Sequence, residues 1–495
     1  MSPISREGAG GHRGIDPTLP LLPKDSLVRT TQRWTLAVVC AATAMLMLDI
    51  AVVNTALSRI AGDLHTGLGG LQWVVDAYTL ALAATVLTAG ALADRFGRRR
   101  LFTCGLLLFT GASMLCALAG DIAFLNTARA AQGVGGAIMF AVSLALLANA
   151  FPDAKERAGA LAAYGATIGA SFAVGPLVGG ALTSGLGWRW IFLINLPLGL
   201  TCLAITRARV LESKDRAARR VDLGGLLSLT AGLFLLILAL LRGNEDGWGS
   251  ALIVAELGAA ATFLLAFLAI ETRVAEPMLP LTLFRNGAFT GAQIGAFAIS
   301  ASFFAVFFYM TLYLQQVLGL SAIEAGLVYL PGTVIMFFVS GATSAMGERV
   351  SGRAMVSVGL VLVGAGMALL TMAQVHSSWT VGLPGSILAM IGTGLFNPAI
   401  SGFALGSVPE RQSGLAAGVN DTFRQAGIAV GVAALGALIP AQAALGHGDP
   451  AAYVGGLHDA LWVCTALALA GAVACWWALP PALAAPGAAL VAEAA

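Results

Sequence analysis

Three charged residues, Asp49, Asp76 and Arg129, lie inside stretches that otherwise read as apolar. A charge at the bilayer centre costs about 2.5–3.5 kcal/mol or more, so such residues are expected to be paired, solvated or functional. Counted from the nearer ends of their stretches at roughly 1.5 Å per residue, they sit about 12, 8 and 10 Å deep, at comparable heights. Two carboxylates and one fixed cation at one level could form a site where a proton and an organic cation compete, with Arg129 deciding which acid stays ionised. The plainer reading of Asp76 is a position near the membrane interface. Later in the chain, Asp421 and Arg424 are three residues apart and so can pair on one helix face. That pair reads either as a self-neutralising couple beside a hydrated cavity or as a substrate contact. No chemistry is assigned to Glu256 or Glu324.

The elements that must position these residues are membrane helices. The 495-residue chain is 58% apolar and 11% charged, against about 25% charged for soluble proteins, and cannot face water all round. Apolar segments long enough to span a bilayer start near Trp34, Gln72, Leu101, Ile122, Arg157, Trp190, Asp222, Ser250, Gly287, Ala322, Arg353, Thr380, Ser413 and Leu457. This predicts an all-α polytopic membrane protein with fourteen spans. Threaded alternately with the N-terminus inside, the 27 Lys and Arg fall almost entirely on one side. Only Arg59, Arg189 and Arg242 fall on the other, while Arg129 and Arg424 lie within spans. The asymmetry places both termini in the cytoplasm. Residues 1–33 lack an apolar stretch of signal-peptide length and read as a disordered tail. The six cysteines lie in apolar segments without a CxxC pair and read as small core residues. No metal, cofactor or nucleic-acid partner is indicated.

A weak internal repeat groups the spans. PDAKERAG before the fifth recurs as PERQSG before the thirteenth, and GALADRFGRRR after the second has a degraded echo around Gly347 to Arg353 after the tenth. A period of eight spans implies two six-helix halves, 34–206 and 287–479, built as parallel repeats. Between them lie a basic linker with two inserted helices at 207–270 and a cytoplasmic loop at 271–286; residues 480–495 form a cytoplasmic tail. The basic run Arg207 to Arg220 reads as an inside-facing segment attracted to anionic lipid. In the fifth span, Gly165, Gly169, Ala173, Pro176 and Gly180 line one face with small residues, so another helix can approach closely. Pro176, with Gly175, Gly179 and Gly180 around it, should let the outer part of that helix bend and serve as a moving joint; the alternative is a plain packing face. In the loop after the second span, Gly90 would let two helix ends approach and Gly97 adds a further small residue. Asp94 could meet a neighbouring helix N-terminus or an arginine, and Arg95 and Arg98 would anchor the loop, together an ionic latch for one access state.

These stretches resemble the major facilitator superfamily in its fourteen-helix drug:proton antiporter branch. Leu48-Asp49-Ile50-Ala51-Val52-Val53-Asn54-Thr55-Ala56-Leu57 resembles that branch's first-helix signature, and Gly90 to Arg100 its inner-loop signature. Arg129, Gln132, Gly133 and Gly135 resemble the fourth-helix motif, whose arginine the family links to proton transfer, and Gly165 to Gly180 resembles the fifth-helix antiporter motif. Trp188 to Phe192 with Asn195 and Pro197, Glu276-Pro277 through Arg285, and Arg424 to Gly427 match further features. Ala51 stands where Thr is expected, and the second inner-loop copy is eroded. The resemblance implies a transporter of the cell membrane that exports a hydrophobic or amphipathic compound, drug or antibiotic, in exchange for protons, the gradient being its energy source. Asp49 and Asp76 would exchange protons for substrate while Arg129 tunes them. High Ala and Gly content fits a GC-rich bacterial genome. The rivals are a proton-driven uptake symporter of the same fold, a membrane-embedded lipid-acting enzyme, for which the scattered His residues offer no cluster, and a binding-only sensor. Oligomeric state is not legible in the sequence.

Overall fold

The computed structural model describes residues 24–214, 222–346, 350–409, 412–444 and 448–481. Most of tail 1–33, part of the linker, residues 347–349 of the second inner-loop copy, residues 410 and 411 of the PERQSG repeat and most of tail 480–495 lie outside them.

The first half comprises α1 (Lys24–Leu64), α2 (Leu68–Phe96), α3 (Arg98–Ala117), α4 (Ile122–Ala150), α5 (Ala154–Gly185) and α6 (Trp190–Arg209). Helices α7 (Leu223–Asp246) and α8 (Ala251–Glu271) follow. The second half comprises α9 (Gly287–Val317), α10 (Ala322–Met346), α11 (Gly352–Leu370), α12 (Leu383–Gly406), α13 (Ser413–Gly436) and α14 (Pro450–Ala478). Among the described residues thirteen of these are long and apolar enough to cross a membrane. The remaining one is α13, whose polar run Asn420 to Gln425 dilutes its apolar character. The protein is thus an all-helical membrane protein of two six-helix halves with two inserted helices.

Caps decide where several helices begin. The side chains of Asp121, Asp222, Ser250, Ser351 and Asp449 accept hydrogen bonds from backbone N–H groups in the first turns of α4, α7, α8, α11 and α14. Asp449 followed by Pro450 starts α14 a turn or more before Leu457, where the apolar pattern alone placed it. Helix α1 likewise starts at Lys24, so residues 24–33 are helical rather than part of a disordered tail. Helix α6 breaks at Ile194, three residues before Pro197, which has no N–H to continue the ladder. Helix α9 contains two π-helical stretches, Ser300–Phe304 and Tyr313–Val317, which nothing in the sequence pattern announced.

The packing repeats with an offset of eight helices. In the first half α2 and α3 pack on α4, α1 on α5, and α3 on α6; in the second, α10 and α11 pack on α12, α9 on α13, and α11 on α14. The halves meet along two symmetry-related seams, α2 with α13 and α5 with α10. The inserted helices form a hairpin whose α7 covers the α2/α13 seam, with Trp73 and Phe234 in ring contact at 5.5 Å. The basic face is the side bearing the α2–α3 loop, and the far face is the opposite one.

Candidate functional site

Arg129 is fixed inside the first half by a closed hydrogen-bond network. Its Nη1 donates to Asp49 Oδ2 at 2.5 Å and to Gln132 Oε1 at 2.6 Å, and its Nε donates to the Val74 carbonyl at 3.0 Å. Gln132 Nε2 donates to Asp49 Oδ1 at 2.7 Å and to Ser113 Oγ at 2.9 Å, and Asn195 Nδ2 donates to Asp49 Oδ1 at 3.0 Å. The guanidinium lies over the Tyr78 ring, 4.3 Å from its centroid. Asp49, Arg129, Gln132, Ser113 and Asn195 are all buried. Four helices, α1, α3, α4 and α6, thus supply one anion, one cation that takes up its Oδ2, and neutral groups that take up its Oδ1.

Asp76 does not join this site, which corrects the expectation of two carboxylates sharing Arg129. It is fully buried, and neither of its oxygens has a hydrogen-bond partner. The reason is rotational. Arg129 takes the Val74 carbonyl on the face of α2 toward α4, whereas Asp76, two residues on, projects from another side of the helix. It lies one turn from Gln72, whose Nε2 donates across the seam to the Tyr309 hydroxyl at 2.7 Å and the Val432 carbonyl at 3.3 Å. Tyr309 donates to the same carbonyl.

Asp421 and Arg424 do not pair either. Asp421 Oδ1 accepts from Gln425 at 3.5 Å, while its Oδ2 and Gln425 Oε1 have no partner. Arg424 instead turns its guanidinium over the Phe304 ring, 5.8 Å from the centroid. The region between the halves therefore holds free acceptors.

Helix α5 continues through Pro176. Its glycines divide by height. Toward the far face, a Cβ on Gly179 would lie 2.7 Å from Val52 Cα, and one on Gly180 would lie 2.8 Å from Ile323 Cα and also strike the Ala322 carbonyl. Gly175 abuts Ala51, and Gly326 of α10 approaches the backbone of Pro176 and Leu177 equally closely. Toward the basic face, Gly169 has only Phe337 at 3.8 Å and Gly165 has nothing within 4 Å. Gln315 Nε2 also closes the far end by donating to the Thr55 carbonyl at 2.9 Å. The α2/α13 seam stays joined toward the basic face, where Thr422 donates to the Ala83 carbonyl at 3.3 Å. At these positions α5 and α10 touch less closely toward the basic face than toward the far face.

The latch loop differs from expectation in two respects. Gly90 meets no neighbouring helix end, since nothing lies within 4 Å of a Cβ there. Asp94 pairs with Arg98 of its own loop at 2.9 Å, and Arg95 lies over Phe96. The tie to another segment is made by Glu212, whose oxygens accept from the backbone N–H groups of Arg99 at 3.0 Å and Arg100 at 3.2 Å, at the N-terminus of α3. Gly97, at φ 109°, is needed both for its backbone conformation and because a Cβ would lie 2.7 Å from Glu212 Oε1. Sequence reasoning missed Glu212, Ser113, Gln72 and Tyr309. A buried polar residue at the depth of a charge was the available signal for Ser113; none existed for a carboxylate more than a hundred residues from the helix it caps.

A profile described as Major Facilitator Superfamily matches residues 39–432. The chain is 37% identical over 400 residues to the multidrug resistance protein Stp of Mycobacterium tuberculosis, covering 80% of this chain and 74% of that one. It is 36% identical to the puromycin resistance protein pur8 of Streptomyces alboniger, covering 88% of each. To the methylenomycin A resistance protein of Streptomyces coelicolor it is 33% identical, covering 82% and 85%. The solved structure of the human organic anion transporter MFSD10 (TETRAN) is similar in fold, with a TM-score of 0.60 at 16% identity over 90% of this chain and 99% of that one.

Proposed function

The chain belongs to the major facilitator superfamily, and from that premise we propose that it exports amphipathic or hydrophobic drug-like compounds, cations foremost, across the cell membrane in exchange for protons. Its kind is settled by kinship: it is a transporter and not an enzyme. Relatives named for resistance and export support the outward direction. The basic face is assigned to the cytoplasm, with both termini there, on the distribution of Lys and Arg. The far seam is then the external gate, closed by Gly180 on α10 and by Gln72 on Tyr309.

The observation that carries proton coupling is the bare carboxyl of Asp76, buried beside this gate without a hydrogen bond. An anion there would be unstable, so Asp76 is occupied by a proton or faces a cation. When the far seam opens, external protons reach it. When the seam closes and α5 parts from α10, a cytoplasmic cation competes for the same region, with Asp421 and Gln425 as further acceptors. Asp49 stays locked to Arg129 and acts as the counter-charge that holds α1, α3, α4 and α6 in one arrangement. A substrate drives the exchange only through unequal affinity for the two states. The proton gradient supplies the energy, and no cofactor is invoked.

The test uses inside-out vesicles with an imposed pH gradient and a panel of lipophilic cations, neutral antibiotics and anionic compounds. Wild type is expected to accumulate cations and dissipate the gradient, whereas Asp76→Asn does neither at equal expression. Accumulation without proton movement, or unchanged coupling in Asp76→Asn, would sink the proposal.

A further inference from the structure

We propose that Asp222 and Glu271, at the adjoining ends of the two inserted helices, form a carboxyl pair that binds one proton between its shielded free oxygens. Asp222 caps α7: its Oδ1 accepts from the backbone N–H of Gly225 at 2.8 Å, which leaves Oδ2 without a partner. Glu271 ends α8 and is only 4% exposed. Its Oε2 accepts from the backbone N–H of Leu279 at 2.9 Å, and its Oε1 has no partner. The two orphan oxygens face the same spot. A Cβ placed on Gly225 would lie 2.6 Å from Asp222 Oδ2 and 2.8 Å from Glu271 Oε1. A methyl would not fit there, so glycine at this position lets the two carboxyl oxygens close on one narrow gap.

Two carboxylates whose free oxygens line one narrow gap, shielded from water, repel each other if both are ionised. Arg273 and Arg285 of the following loop, Lys214 of the linker and Arg95 at the end of α2 make no ion pair with either carboxylate. Among the described residues no third His, Cys, Asp or Glu joins them, so the pair offers too few ligands for a metal ion. One proton resolves the arrangement: the protonated carboxyl donates across the gap and the other accepts, and the proton belongs to the pair.

The site has a mechanical address. Glu271 holds Leu279 in place, and the preceding Met278 accepts a hydrogen bond from Thr88 of α2 at 3.3 Å. Met278 and Leu279 are both buried. The proton-bearing pair thus pins the strap 272–286, from which the second half begins, to α2 near the basic face.

Infrared spectroscopy of the purified protein in nanodiscs at neutral pH reads the carbonyl band of protonated carboxyls without any transport assay. Glu271→Gln and Asp222→Asn each keep an oxygen for the backbone donor they serve. Glu271→Gln is expected to lose one carboxyl's worth of the band, Asp222→Asn to keep that intensity but shift its frequency as the acceptor across the gap changes, and the double variant to lose no more than Glu271→Gln. No loss in Glu271→Gln, or an unshifted band in Asp222→Asn, overturns the shared proton. So does disappearance of the wild-type band on adding sodium or potassium chloride, which would assign the gap to a metal ion. If Asp222→Asn does not fold, Asp222→Ser, which retains a helix cap, takes its place with the same expected shift.

Discussion

The interior of the first half and the seam between the halves treat buried polar groups in opposite ways. Around Arg129 the carboxylate oxygens of Asp49 are taken up by Arg129, Gln132 and Asn195. At the seam Asp76, Asp421 and Gln425 all keep polar atoms without partners. A satisfied network specifies one arrangement and resists change, whereas unsatisfied groups leave room for a visitor that completes them. The same division runs through glycines of α5: Gly179 and Gly180 toward the far face touch backbone, and Gly165 and Gly169 toward the basic face touch almost nothing. The rigid part of the molecule and the part that must exchange contents are thus distinguishable by how completely their polar and backbone surfaces are matched.

The largest expected effect breaks the interior. Asp49→Asn leaves Arg129 buried without its anion, which costs about 3–5 kcal/mol by analogy with other broken buried pairs. The prediction is a marked fall in the Tm of the purified protein together with loss of transport. Asp49→Asn combined with Arg129→Gln should recover much of the Tm but not the transport. Recovery of neither would mean that the network is not held together by this pair.

A smaller effect tests the seam glycines against one another. Gly180→Ala forces a methyl against the Ala322 carbonyl and Ile323 at the far end, an overpacking cost of about 1–3 kcal/mol. Because the clash is between halves, it acts on the closed far seam and not on the fold. A cysteine in place of Gln315 should therefore react faster with a membrane-impermeant thiol reagent applied from the outside in Gly180→Ala than in the parent. Gly165→Ala, which meets no neighbour, should leave that rate unchanged. Equal rates in all three proteins would remove α5 as the joint.

Much of this was legible in the sequence, and the limits are physical. Apolar length located the helices because a bilayer demands it, and the eight-span repeat reappears as symmetry-related packing. The depth of a charge could be read from its distance to a span end, which put Asp49, Asp76 and Arg129 at one level. Depth says nothing of azimuth, and azimuth is what separates Asp76 from Arg129 across α2. Three-residue spacing suggested that Asp421 and Arg424 pair, but Phe304, from α9, competes for the guanidinium. Glu212 caps α3 from the linker, a contact that chain spacing cannot announce.

The smallest expected effect on stability falls on the residue expected to matter most for coupling. Asp76 makes no hydrogen bond, so exchanging its carboxyl for the isosteric amide in Asp76→Asn removes no contact. The Tm should stay close to wild type or rise, because a buried ionisable group without a partner is a cost to the fold. Substrate binding in the absence of a gradient should weaken for cations and stay unchanged for neutral compounds. That split matters because it separates two ways of losing transport: Asp49→Asn would lose it by loosening the first half, with every ligand affected alike, and Asp76→Asn by removing one charge from an otherwise intact seam. A drop in Tm for Asp76→Asn as large as that for Asp49→Asn would erase the distinction between the two regions and place Asp76 among the structural acids.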